Sequence, residues 1–258
     1  MTDLYPVTAA VTGVLGLASG PLVPWLVGRL PEPDPEPEPE PEAEPGPEPV
    51  ADDADVAEPE EPKEPYADIA RLPGLVVGSA VAGAVAAAVL GLALGRSWAL
   101  LVVLPLVPVS VALAVVDWRT RLLPRLLVLP ATAGSVVTIG ASWALGGFDG
   151  GSATVVRTLV GCAGAFLVFF VLWFVHPRGM GFGDVRLSVL LGLVLAYLGW
   201  SEWVVGLYGG FLLGAVIGGV LALLKVVDRK GYPFGPFMLV GALVGLVWGT
   251  ALAGRIWG

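Results

Sequence analysis

Asp117 and Asp184 are the residues of this 258-residue chain whose types and positions point to chemistry. Of 22 acidic residues, 16 lie between Glu32 and Asp68, which leaves Asp3, Asp117, Asp149, Asp184, Glu202 and Asp228. Asp3 is terminal, Asp149 and Glu202 fall in predicted outer loops, and Asp228 stands among bases. Solvation explains those four. Asp117 directly follows the apolar run Val111–Val116, and Asp184 opens another apolar run. An ionisable group in or beside a membrane is a functional candidate. Taken singly, each has a rival reading. Arg119, Arg121 and Arg125 offer Asp117 a salt bridge, and the turn before Asp184 offers an N-cap. As a pair they offer more. Two carboxylates a few ångströms apart resist ionising together and share a proton. One then takes a proton from water while the other polarises a scissile carbonyl, and the pair titrates as a unit.

This chemistry requires no metal and no nucleophilic side chain, so no cofactor is expected. Cys162 is the one cysteine and His176 the one histidine, which excludes an intrachain disulfide and a cysteine-cluster zinc site. A zinc peptidase is not expected either. Gly179, Gly181 and Gly183 alternate before Asp184. Glycine permits close backbone approach, so Gly181 and Gly183 are candidates for contact with an extended substrate. No Lys-Ser or Lys-Thr follows, which excludes a P-loop. Pro233, Phe234, Gly235 and Pro236 form a second candidate substrate contact through free carbonyls. The alternative there is a turn that starts a helix, with proline at its first position.

The elements that must position these residues are membrane helices. The chain is 56% hydrophobic and 14% charged, against roughly a quarter charged in soluble domains. About 20 apolar residues span a bilayer core, and eight such segments can be drawn. They are Tyr5–Val27, Leu72–Leu94, Trp98–Val116, Leu126–Leu145, Val155–Val175, Val185–Trp200, Val204–Val227 and Phe234–Ala253. In lipid each backbone must close its own hydrogen bonds, so helices are predicted throughout. The N-terminus Met1-Thr-Asp has no base, so the first segment reads as a retained helix and not a signal peptide.

The formal net charge of −8 hides two unlike parts. The stretch from Glu32 to Asp68 holds 16 acids and the single base Lys63, whereas the rest holds 13 bases and six acids. Alternating Pro and Glu favours an extended, solvated chain with nothing apolar to bury. The predicted organisation is a first transmembrane helix (1–30), a disordered acidic Pro/Glu-rich linker (31–70) and a membrane-embedded catalytic domain (71–258). Arg29, Arg71, Arg119, Arg121, Arg125, Arg178, Arg186, Lys225, Arg229 and Lys230 fall on one side of an eight-helix bundle. Arg96, Arg157 and Arg255 fall on the other. Positive residues favour the cytoplasmic side, so the linker and both aspartates are expected there.

Three ordered motifs resemble the type IV prepilin (leader) peptidases, within the wider Gly-x-Gly-Asp intramembrane aspartyl proteases that include presenilins and preflagellin peptidases. Val115-Val-Asp117-Trp-Arg-Thr-Arg-Leu-Leu-Pro124 is similar to the family's first catalytic motif. Gly179-Met-Gly-Phe-Gly-Asp184-Val-Arg-Leu187 is similar to the second, and Tyr232-Pro-Phe-Gly-Pro-Phe237 to the element before the last helix. The resemblance covers roughly Leu72 to the C-terminus. Arg125 stands where the family usually has Asn or Asp, and Arg186 where Lys is common. Many Gram-negative members carry a cysteine-rich domain, linked to N-methylation, where this chain has its acidic linker. The linker has no cysteine, so neither methyltransferase activity nor its zinc is carried over.

The resemblance implies an all-α, polytopic protein of the bacterial plasma membrane with Asp117 and Asp184 as catalytic residues. Its implied substrates are prepilins or pseudopilins, each with a short, often basic leader, a glycine at the cleavage point and a hydrophobic helix. The implied cut falls at the cytoplasmic membrane edge, and the acidic linker is placed to attract basic leaders. No nucleic-acid partner is expected, and a homodimer stays open. Two other classes remain at this point: a transporter or channel using the aspartates as an ion relay, and an inactive membrane scaffold.

Overall fold

A computed structural model describes residues 5–32, 64–146, 151–177, 180–218, 220 and 233–257. Among them every regular element is helical. In chain order these are α1 (Pro6–Ala18), α2 (Leu22–Val27), α3 (Tyr66–Ala70), α4 (Leu75–Leu94), α5 (Trp98–Val103), α6 (Leu106–Thr120), α7 (Arg125–Ala144), α8 (Ser152–Val175), α9 (Phe182–Leu198), α10 (Trp200–Leu213) and α11 (Gly235–Trp257). A π-helical turn, Gly214–Gly218, extends α10. Arg178, Gly179, Asp3, Asp149, Asp228 and the bases from Lys225 to Lys230 lie outside the described residues.

Five stretches are long and apolar enough to cross a membrane: α4, α7, α8, α10 with its π turn, and α11. The other three predicted segments differ from single spans, for local reasons. The first breaks into α1 and α2 at Ser19-Gly-Pro21 and the third into α5 and α6 at Leu104-Pro105. Proline has no amide hydrogen to continue a helix ladder. The sixth, α9, has 17 residues. From Asp184 to Tyr197 all its residues but Arg186 and Val189 are buried. It is the central post of the bundle, hydrophobic all round because protein surrounds it.

Small residues set the tightest packings. α1 lies on α4, where a β-carbon at Gly16 would run into the Gly83 carbonyl oxygen. α10 lies on α11, where one at Gly241 would run into the Gly210 backbone nitrogen. Such contacts let backbones meet where lipid supplies no hydrophobic drive between helices.

The residues on either side of the acidic stretch are tied to this body. Glu32 accepts hydrogen bonds from the Tyr66 and Ala67 amides at 2.8 and 3.0 Å, satisfying two free donors at the start of α3. Tyr66 and Ile69 are buried. Residues 66–70 of the expected linker therefore form a docked helical turn. Residues 33–63 lie outside the described residues.

Candidate active site

α6 runs on past its apolar stretch, so Asp117 occupies its last turn and does not follow it. The Arg121 amide donates to the Asp117 carbonyl at 2.8 Å, and Arg121 is left-handed at φ 56°. That closes the helix with an αL residue. The Thr120 hydroxyl donates to the Val116 carbonyl at 2.8 Å and accepts from the Leu122 amide at 3.3 Å. Pro124 then starts α7 with an extended backbone. The seven-residue spacing from Asp117 to Pro124 is thus one helix end, one turn and one helix start.

The Asp117 side chain is 3% exposed. Its Oδ2 accepts a hydrogen bond of 2.9 Å from the Gly235 amide, at the first residue of α11. A carboxylate at a helix N-terminus meets free amides and the positive end of the helix dipole. Arg119 points elsewhere, forming a two-pronged pair with Glu64 at 2.7 and 2.9 Å. Arg121 and Arg125 are exposed. The salt-bridge reading of Asp117 therefore loses the nearest guanidinium to a different acid.

Asp184 is the third residue of α9, with Gly181 at the N-cap. Its amide donates to the Gly181 carbonyl at 3.1 Å, and its carboxyl reaches back to the Gly181 amide. This is the reach of an N3 acid towards the N-cap in a capping box. The N-cap position, the rival reading of Asp184, is held by Gly181. Asp184 is 7% exposed, and its carboxyl lies within electrostatic reach of Asp117. Two acids 67 positions apart, on helices that start and end at the same face, thus lie within electrostatic reach of each other in a site largely closed to water.

Leu123 joins the three motifs, and sequence reasoning missed it. A β-carbon at Gly183 would lie 2.8 Å from Leu123 Cβ. One at Gly235 would lie 2.7 Å from Asp117 Oδ2 and 3.2 Å from Leu123 Cδ2. Leu123 is 8% exposed although it sits in a loop between two arginines, and a leucine beside a helix-starting proline was the available signal. Gly181 is exposed, 3.7 Å in β-carbon reach of Asp184 Oδ2.

Pro233 is buried, and Phe234 packs against Phe211 and Phe169, with ring centroids 5.3 and 6.4 Å apart. The Phe234 carbonyl accepts from the Phe237 and Met238 amides at 3.1 and 3.2 Å. Pro236 sits in the first turn of α11. This segment therefore starts a helix, and the carbonyl of Phe234 is already engaged. Among the described residues no three His, Cys, Asp or Glu side chains gather as a metal would need.

Comparisons with known proteins find a likeness to one family over the part of the chain that holds both acids. Residues 104–223 match the type IV leader peptidase family. The chain is 30% identical over 167 residues to a prepilin leader peptidase/N-methyltransferase of Aeromonas hydrophila, covering 62% of this chain and 54% of the relative. It is 31% identical over 169 residues to the protein of the same name in Pseudomonas putida, covering 61% and 53%. The counterpart in Burkholderia pseudomallei (strain K96243) is 31% identical over 166 residues, covering 60% and 49%. The chain thus spans about half the length of the curated relatives it matches. No solved structure matches it. Asp117 and Asp184 both lie inside residues 104–223, the region that is similar to the type IV leader peptidase family.

Proposed function

We propose that this chain is a membrane aspartyl endopeptidase that removes the leader from prepilin-like or pseudopilin substrates, with Asp117 and Asp184 as its catalytic pair. One observation carries the reading: two buried carboxylates from separate helices stand within electrostatic reach of each other, each beside a helix-start amide. The names of the relatives, all prepilin leader peptidases, support the reaction class.

The pair holds one proton between its two carboxyls. The ionised carboxylate takes a proton from water as the oxygen attacks the scissile carbonyl carbon. The protonated partner donates to the carbonyl oxygen, giving a neutral gem-diol. Collapse breaks the C–N bond, and the leaving nitrogen takes up the proton gained from water. The diol returns the other proton to the pair. Because the two acids titrate together, neither carries a fixed role. Water-excluded surroundings strengthen each of these interactions.

Gly181 is exposed beside Asp184 and offers room for an extended substrate strand. Gly183 and Gly235 act one step back, by letting Leu123 and the Asp117 carboxylate sit close. Pro233, Phe234 and Pro236 hold the start of α11, and with it the amide that Asp117 accepts from.

The pair faces the cytoplasm in this reading. Arg29, Arg71, Arg119, Arg121, Arg125 and Arg186 flank the same helix ends as the pair, whereas Arg96 and Arg157 line a cavity beside Leu198, at the far end of α9. That bias supports the orientation by the positive-inside rule. Co-expression with a prepilin tests both parts. Wild type removes the leader, and Asp117→Asn and Asp184→Asn each leave the precursor intact. Normal processing by either variant would sink the assignment. A label at Ala57 reports orientation, and external labelling would reverse it.

A further inference from the structure

The last turn of α6 carries Asp117, and its end is held by a residue from far upstream in the chain. Thr120 closes that turn and is 3% exposed. Its hydroxyl donates to the Val116 carbonyl at 2.8 Å and accepts from the Leu122 amide at 3.3 Å. The Tyr66 side chain also hydrogen-bonds that of Thr120. A threonine hydroxyl has one proton and two lone pairs. The proton goes to Val116, so Thr120 Oγ1 accepts from Tyr66 as it does from Leu122. Burial, and then the nearby Glu32 carboxylate, push the Tyr66 hydroxyl above its ordinary pKa, which keeps it protonated as a donor.

Tyr66 has little freedom to point elsewhere. It is buried, as is Ile69 one turn on. α3 packs against both α2 and α6. Glu32, just past α2, fixes the start of α3 through the Tyr66 and Ala67 amides. All of α1 to α3 lies before residue 104, outside the region that is similar to the leader peptidase family.

From Thr120 the contacts lead to both acids within three residues. Arg121 donates its amide to the Asp117 carbonyl at 2.8 Å and is left-handed at φ 56°. A non-glycine residue keeps that conformation where its surroundings hold it. The Thr120 hydroxyl supplies such a hold, because it binds the amide on the far side of Arg121. Leu123 follows, in the space left by two glycines. A β-carbon at Gly183 would lie 2.8 Å from Leu123 Cβ, and one at Gly235 would lie 3.2 Å from Leu123 Cδ2. Gly183 precedes Asp184, and Gly235 gives Asp117 its amide. Movement of Thr120 therefore shifts the Asp117 turn and the leucine that spaces the other two motifs.

We propose that Tyr66 is a positioning residue for the catalytic pair, its hydroxyl fixing Thr120 and, through Thr120, the left-handed turn that sets Asp117 and Leu123. The proposal rests on the peptidase reading above. It gives a segment outside the family-like region a part in the reaction. Tyr66 acts through Thr120 and not on the reacting atoms. Misplacement by about 1 Å is enough to cost up to about 100-fold in rate.

The test uses the full chain in proteoliposomes with a prepilin as substrate. Tyr66→Phe keeps the buried ring and removes the hydroxyl. It should lower kcat by about fivefold or more, with KM within about twofold of wild type and an unchanged thermal midpoint. Thr120→Val should give a similar loss. The double variant should be no slower than the worse single one, because both remove the same contact. Losses that multiply overturn the proposal. So does a Tyr66→Phe protein of lower stability and wild-type kcat, which would leave Tyr66 a packing role alone. Glu64→Gln is the control, since it breaks the neighbouring pair with Arg119 and spares Tyr66. An equal kcat loss there also overturns the proposal. Hydrogen exchange reads the same turn without cleavage. In Tyr66→Phe the Arg121 and Leu122 amides should exchange about tenfold faster or more, with α8 unchanged. Unchanged exchange at both amides overturns the proposal. If the wild type cuts no prepilin, the peptidase reading fails, and the exchange result alone decides whether Tyr66 holds the turn.

Discussion

Glycine does different work at the two acids and in the α10–α11 seam. At the acids, Gly183 and Gly235 give way to side chains, namely Leu123 and the Asp117 carboxylate. In the seam, Gly241 and Gly245 give way to backbone, that of Gly210 and of Glu202 and Gly206. The Asp117 carboxylate crowded at Gly235 can rotate, at a cost to its own position, and the Leu123 β-carbon crowded at Gly183 moves only with its short loop. Crowded backbone can yield only by separating two helices. Substitutions in the first region should therefore damage chemistry with the fold intact, and substitutions in the second should damage the fold itself.

The largest expected effect isolates the chemistry. Asp117→Asn or Asp184→Asn should reduce cleavage by about 100- to 10,000-fold while membrane accumulation stays at the wild-type level. Because the acids act as a unit, the double variant should be no slower than the worse single one. A multiplicative loss in quantitative cleavage assays would mean they act separately.

Next comes the seam. Gly241→Leu should force α10 and α11 apart, and overpacking of this kind costs about 1–3 kcal/mol or more. The expected readout is a lower thermal midpoint in detergent and less folded protein in the membrane. Normal stability with lost activity would erase the contrast between the two regions.

Gly235→Ala sharpens the contrast from the other side. Its β-carbon would lie 2.7 Å from Asp117 Oδ2, so the carboxylate must shift. A displacement of about 1 Å near reacting groups costs up to about 100-fold in rate. A fall in kcat of at least tenfold is expected, with KM and protein level little changed. A protein that fails to accumulate would place Gly235 with the seam glycines instead.

The smallest effect concerns the exposed pair of Arg119 and Glu64, two residues along α6 from Asp117. Glu64→Gln removes the partner of Arg119, whose side chain is 40% exposed. Exposed ion pairs contribute little, so cleavage should change by less than about twofold. A large loss would show that the end of the acidic stretch takes part in holding α6.

The two acids stood out in the sequence because an unneeded charge beside an apolar run is expensive, and subtraction left Asp117 and Asp184 without an easy alternative. The helices were legible for a related reason: backbone in lipid has few options, and hydropathy marks where it lies. The breaks at Pro21 and Pro105 were less visible, since the apolar runs pass straight through both prolines. Leu123 was not legible as a hub, because one apolar residue in a basic loop has several harmless explanations. The docked turn α3 was hidden too, since its cap comes from Glu32, 34 residues away across a charged stretch.

By itself, the sequence determined an all-helical membrane chain with an acidic, proline-rich stretch and two acids at helix ends, because these follow from composition and local spacing. Tertiary structure alone decided that the two carboxylates come within electrostatic reach of each other, that α9 is the buried post, and that the Gly235 amide serves Asp117 from 118 residues away. Those contacts depend on which helix faces pack together. Hydropathy records that a residue is apolar, but in lipid it says nothing about which neighbour the residue will touch.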